Sequence, residues 1–210
     1  MKKTFRHNQT IKYLAIGSAM FLAACTSVGE RTLVSVGYYT VTGETFSEVD
    51  KQIKIHGPEV TGVGKALAST DLRMLPSIKY ALANGGCEVS NARINVKARV
   101  TLPRHANVNT LKVELAQAWN SLEEYARVHE AVHLAIADRY AIEMENAISA
   151  LPRAENCVSM RENVQAVFSD LFEKHHADQL QFDADEKSRI RGLVKKRQAS
   201  LPRKTVTEEQ

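Results

Sequence analysis

Hydrophobic positions change their period along this chain, and the changes mark out its elements. Residues 33–42 are rich in Val, Tyr and Thr and predict a strand. Thr45 to His56 carries Phe46, Val49 and Ile53 at helical spacing and stops at Gly57-Pro58. Glu59 to Thr70 reads as a loop. Leu72, Met74, Ile78, Tyr80 and Leu82 then alternate with more polar neighbours, with Pro76 marking an edge or a bulge. A turn signal, Asn84-Gly85-Gly86, precedes a second alternating run. In that run Ile94, Val96, Ala98, Val100 and Leu102 interleave with Arg93, Asn95, Lys97, Arg99 and Thr101, which predicts a strand with one buried face.

Beyond Pro103 the period is helical. Thr110 to Ala150 contains no Pro or Gly. A single helix of that length would run about 60 Å, against a radius of gyration of roughly 16 Å for a domain of this size. A break is therefore expected near Asn120-Ser121, where Ser121 and Glu124 form a capping-box pattern. The main helix is predicted from about Leu122 to Ala150. Ser159 and Glu162 open another helix, through Val164, Val167, Phe168, Leu171 and Phe172 to Phe182 or beyond. The fold class that follows is α+β: a small antiparallel sheet with one short helix, packed on a long antiparallel helical hairpin.

Composition narrows the class. With 210 residues, 44% hydrophobic and 25% charged, the chain is neither a disordered tail, a collagenous repeat nor a polytopic membrane protein. The net charge of +4 points to a polyanionic partner until the charges are located. Four of the 28 Lys+Arg (Lys2, Lys3, Arg6 and Lys12) fall in the first 24 residues, which carry no acid. Without them 24 basic residues face 24 acidic ones, and the argument for nucleic acid loses its support.

That first segment has an export pattern: a basic start, then an apolar run from Tyr13 to Ala24, shorter than a membrane span. It ends Leu22-Ala23-Ala24-Cys25, like a bacterial lipobox, in which Cys25 would be lipidated; the alternative is an ordinary signal peptide with an incidental cysteine. The expected organisation is a signal peptide over 1–24, a lipidated tether over 25–32, a domain over 33–187 and a basic helix end and tail over 188–210. Lipid on Cys25 would anchor the chain to a membrane of the cell envelope. Thr26 after it, rather than Asp, favours the outer membrane facing the periplasm. Cys87 and Cys157 remain as an even pair, expected to form a disulfide there, the alternative being two buried thiols.

The main helix carries His129-Glu130-Ala131-Val132-His133, an H-E-x-x-H pattern. Residues four apart share a helix face, so both imidazoles can bind one ion, with Glu130 placed as general base toward a zinc-activated water. Leu122, Ala126, Ile136 and Tyr140 lie on the histidines' face, which turns the pair toward the core. A third protein ligand is required. If the two long helices form a level hairpin, His133 and His175 stand at the same height, and His175 is the first choice. Asp183 is its rival, as ligand or as partner to a histidine. Glu143, Glu145 and His176 read as surface residues, and Trp119 as a packing residue.

Together these features resemble a bacterial family, the domain of unknown function 922, described as predicted secreted zinc-dependent proteases. The likeness runs from about Tyr38 to Glu186. It rests on Tyr38-Tyr39-Thr40-Val41-Thr42-Gly43, Gly57-Pro58, Gly86-Cys87, Val100-Thr101-Leu102-Pro103 and Trp119 ahead of His129-Glu130-x-x-His133. Cys157, His175 and Phe182-Asp183-Ala184 extend it. It implies zinc and peptidase activity, and no particular substrate. Val132 stands where the family often has Gly, and Glu186-Lys187-Ser188-Arg189 where it tends to have Thr-x-His-Gly.

The expected function is thus a zinc metallopeptidase anchored as an envelope lipoprotein, acting on a peptide or protein. The alternative is a non-catalytic envelope lipoprotein that binds a partner or cell-wall component, with structural or no metal. Strand 93–102 is expected either to bind extended peptide by strand addition or only to cover the core. The basic run from Lys187 to Arg197 is read as a solvated helix end, with anionic lipid as the other possibility.

Overall fold

The longest strand organises the molecule. The computed structural model describes residues 31–200, so the expected signal peptide, Cys25, most of the tether and the tail from Lys204 lie outside the described residues. In chain order the elements are β1 (Thr32–Val41), α1 (Phe46–His56), β2 (Glu59–Val60), β3 (Gly64–Lys65), β4 (Ser69–Ala83), β5 (Gly86–His105), α2 (Val113–Ser149) and α3 (Cys157–Ser200). The fold is α+β, with a three-stranded sheet in the order β1-β5-β4 and a small β2-β3 ribbon.

β4 and β5 form the hairpin that Asn84-Gly85 predicts. Asn84 has φ 47° and Gly85 φ 78°, the paired left-handed conformations that match the twist of a two-residue hairpin turn. Pro76 sits on β4, an edge strand, where its missing N–H costs no ladder bond. The sheet is not purely antiparallel: β1 pairs parallel to β5, from Thr32 opposite Val96 to Val41 opposite His105. Alternation along a strand fixes which face is buried but not which way a distant strand runs. Here α1 and the β2-β3 ribbon carry the chain from the end of β1 to the start of β4 at the same end of the sheet. β4 therefore runs back, and β5, the next strand, points the same way as β1. Within the three-stranded sheet β5 is central, paired with β4 over residues 86–101 and with β1 over 96–105. Residues 96–101 are thus closed to strand addition on both sides, and β1 and β4 are that sheet's edge strands.

The alternating run on β5 behaves as its pattern requires. Ile94, Val96, Ala98, Val100 and Leu102 are all buried and face the helices. With Met74, Ala137, Tyr140, Ala141, Met144, Ile148, Met160, Val164 and Leu171 they make the main core between sheet and hairpin. Each large apolar side chain buried there stabilises by about 1.5–3 kcal/mol.

α2 is a single helix of 37 residues; the break expected near Asn120-Ser121 does not occur. Ser121 does not cap: its Oγ donates back to the carbonyl of Gln117 at 2.9 Å, a bond made inside a continuing helix. The N-terminal turns have their own support, a second core of Val41, Val49, Leu115 and Trp119. A separate core for each half is what lets one helix exceed the expected length.

The connection from α2 to α3 is not a level hairpin turn. Ala154 pairs with Cys87 at the start of β5, and Cys87 is disulfide-bonded to Cys157 at the start of α3. Gly86 makes this close approach feasible: a Cβ there would lie 2.5 Å from the carbonyl oxygen of Ala154. Asn156, rather than Ser159, caps α3, its Oδ1 accepting from the amides of Val158 and Ser159 at 2.9 and 3.0 Å. α3 is thereby tied to the sheet, and its start lies beyond α2's end along the helix pair. Gln179, which touches His133, lies 22 residues into α3 (179 − 157), whereas His133 lies 16 from α2's end (149 − 133). That six-residue offset is about 9 Å of helix.

Candidate functional site

The offset decides which residues meet the histidine pair. At 20 residues from α2's end (149 − 129), His129 is matched by Asp183, 26 residues into α3 (183 − 157). Oδ1 of Asp183 lies 3.2 Å from Nε2 of His129 and 3.2 Å from Nε2 of His133. The two Nε2 atoms are themselves 3.2 Å apart. The three ligand atoms form a near-equilateral triangle. A tetrahedral ion with bonds of 2.0–2.1 Å has ligands about 3.3–3.4 Å apart. The donor set and the spacing fit zinc.

Burial is graded across this triangle. The side chains of His129 and His133 are 18% and 13% exposed, that of Asp183 52%. The histidines are thus held by protein, while the carboxylate side opens to solvent. Phe182 packs on both imidazoles, with ring centroids 4.8 and 5.1 Å away. Nδ1 of His133 lies 2.5 Å from Oε1 of Gln179; Nδ1 of His129 is buried without a hydrogen-bond partner among the described residues.

His175 stands outside the triangle. It is 6% exposed, lies against Tyr140 and Phe172, and has its Nε2 2.9 Å from Nε2 of Gln179. Counting from a level hairpin put it beside His133; the start of α3, set beyond α2's end, takes it toward Tyr140 instead. Burial pushes its pKa below the ordinary histidine value. His176 and Glu143 are exposed, as expected. Glu145 is not a solvated charge: Oε1 accepts from the buried backbone amide of Ile94 at 2.7 Å, and Oε2 pairs with Arg31 at 2.9 Å. Trp119 is buried, edge-on to His105.

Glu130 turns from the triangle's neighbours toward the sheet and is 4% exposed. Thr70 on β4 donates its hydroxyl to Oε2 of Glu130 at 2.7 Å. Burial raises the Glu130 pKa above the usual carboxylate value, partly opposed by the Thr70 bond and by the nearby imidazoles. Sequence alone gives Thr70 no place in the site and puts Gln179 only on the face of His175 and Asp183, with no role. Neither belongs to a ligand motif; each is legible only from what it touches.

A cavity of about 460 Å³ lies elsewhere, lined by Thr42, Gly43, Glu48, His105 and Asn107 among others. Its histidine is already satisfied, bonded to the carbonyl of Gly43 and accepting from the amide of Asn107. The chemistry-bearing residues sit at the triangle, not there.

Comparison with known proteins places the chain in a family. Residues 36–191 match the model of a bacterial protein of unknown function, DUF922, and the chain belongs to that family. No curated protein and no solved structure matches it significantly.

Proposed function

We propose that this chain is a zinc-dependent metallopeptidase of the bacterial envelope, with His129, His133 and Asp183 as ligands and Glu130 as general base. The observation that carries the reading is the 3.2 Å triangle of two imidazole nitrogens and a carboxylate oxygen, one residue along the helix from a buried glutamate. When bound, zinc supplies a Lewis acid that polarises carbonyl groups and acidifies water. The chain's own residues supply the rest. Thr70 anchors one oxygen of Glu130 to the sheet, which keeps the carboxyl from swinging into the triangle. Solvent exposure at Asp183 leaves an approach for a peptide. The lipobox-like Leu22-Ala23-Ala24-Cys25 supports an envelope location through lipid on Cys25.

The test is metal analysis of the purified mature chain without a polyhistidine tag, paired with hydrolysis of unfolded casein. The expected result is one zinc per chain, retained in Glu130→Gln and lost in Asp183→Ala, with hydrolysis abolished in both. A folded wild-type chain without zinc overturns the metal reading. Zinc without Glu130-dependent hydrolysis overturns the peptidase reading and favours a partner-binding lipoprotein. Loss of zinc in His175→Ala with retention in Asp183→Ala reverses the choice of third ligand.

A further inference from the structure

Gln179 makes three polar contacts, two across the helix pair to His133 and one within α3 to His175. Its Nε2 donates to the backbone carbonyl of His133 at 3.0 Å and to Nε2 of His175 at 2.9 Å; its Oε1 lies 2.5 Å from Nδ1 of His133. A carbonyl oxygen has no proton to give, so the amide NH2 must face it. That fixes the amide's orientation and turns Oε1 toward Nδ1 of His133. An amide oxygen only accepts, so Nδ1 carries the proton. A neutral imidazole has one N–H, which leaves a lone pair on Nε2. This is the atom 3.2 Å from both His129 and Asp183.

We propose that Gln179 is the positioning residue for His133: it reads the backbone carbonyl of α2 and thereby locks the tautomer and ring orientation that aim the Nε2 lone pair into the triangle. The same side chain withholds His175. Its second N–H occupies the Nε2 lone pair of His175, which puts that ring's proton on Nδ1, a buried atom with no hydrogen-bond partner. One glutamine so assigns two histidines to different duties, one as a lone-pair donor toward the ion and one as a buried acceptor. His129 is the internal contrast, because its buried Nδ1 has no partner to fix it. The inference rests on the proposed metal site for its purpose. In the metal-free chain Oδ1 of Asp183, 3.2 Å from the same Nε2, competes with Gln179 for the His133 proton, so the tautomer measured there reports which partner prevails.

The experiment is a long-range proton–nitrogen correlation spectrum of the metal-free, histidine-labelled chain near about pH 8, above the ordinary histidine pKa. It is paired with competition titration of zinc. In the wild type His133 is expected as the Nδ1–H form. Gln179→Leu is expected to lose that preference and to weaken zinc binding by about 10–100-fold. Gln179→Glu, which keeps an acceptor for Nδ1 but cannot donate to the His133 carbonyl, is expected to retain the Nδ1–H form and to recover the affinity only in part. An Nε2–H His133 in the wild-type chain overturns the proposal without any variant. So does a folded Gln179→Leu chain that binds zinc as tightly as wild type. A wild type that binds no zinc but shows the Gln179-dependent tautomer defeats the metal reading and leaves the positioning role standing.

Discussion

Replacing both Cys87 and Cys157 by Ala removes the covalent tie between β5 and α3, and its effect can be worked from the fold. The bridged residues are 70 apart in sequence. Closing a loop of that length in the unfolded chain costs about 4.4 kcal/mol of entropy at 25 °C, the amount by which the bond favours the native state. Relaxation of the native structure reduces the observed figure, so a loss of about 3–4 kcal/mol is expected. Cys87 is fully buried, so its truncation adds a small cavity in the same direction. The assay is urea unfolding of the oxidised wild type beside the double variant. With a slope of about 2 kcal/mol/M, the midpoint should fall by about 1.5–2 M. Metal retention should fall with it, because the disulfide and the Cys87–Ala154 pairing set the six-residue offset that brings Asp183 to the histidines. A midpoint shift below about 0.5 M, or two titratable thiols in the wild-type chain purified without reductant, would refute the reasoning.

Glu145→Ala should destabilise by about 1–3 kcal/mol, because it strands the amide of fully buried Ile94; chemical unfolding measures it, and a neutral result contradicts that bond. Asn156→Ala removes the cap of α3 and should cost about 1 kcal/mol by the same measurement, whereas Ser159→Ala should be near neutral. Tyr39 is half-buried and donates to the carbonyl of Leu67, and burial pushes its pKa up to about 12. A pKa raised in the folded state means stability is full below the unfolded value near 10 and is lost as pH rises toward about 12. Ultraviolet titration of wild type minus Tyr39→Phe should show that late ionisation, and a difference spectrum developing near pH 10 would count against it.

Much of the frame was legible in sequence, for reasons that are local. Alternation along Ile94 to Leu102 can be satisfied only by a strand with one covered face, and those side chains are the ones buried. Asn84-Gly85 announced the hairpin because few residue pairs tolerate two positive φ angles. The H-E-x-x-H spacing put two imidazoles on one helix face whatever the rest of the chain did, and Asp183 was already the second candidate beside them. The length of α2 was misjudged because a capping-box pattern is written in side chains that can equally bond back within a helix, as Ser121 does. The direction of β1 was misjudged because pairing partners distant in sequence leave no trace in the local pattern.

The sequence by itself determined the main strands and helices, the buried face of β5, the histidine pair with its glutamate, and the cysteines available for a bond. All of these depend on the short-range geometry of helix and strand, which repeats from one protein to the next. Tertiary structure decided which distant side chains meet. The pairing of Ala154 with Cys87 starts α3 about six residues beyond α2's end, where a level hairpin would start it opposite that end. Because a helix is rigid, that one displacement travels its full length. It carries His175 away to Tyr140, brings Gln179 to His133, and delivers Asp183 to the triangle.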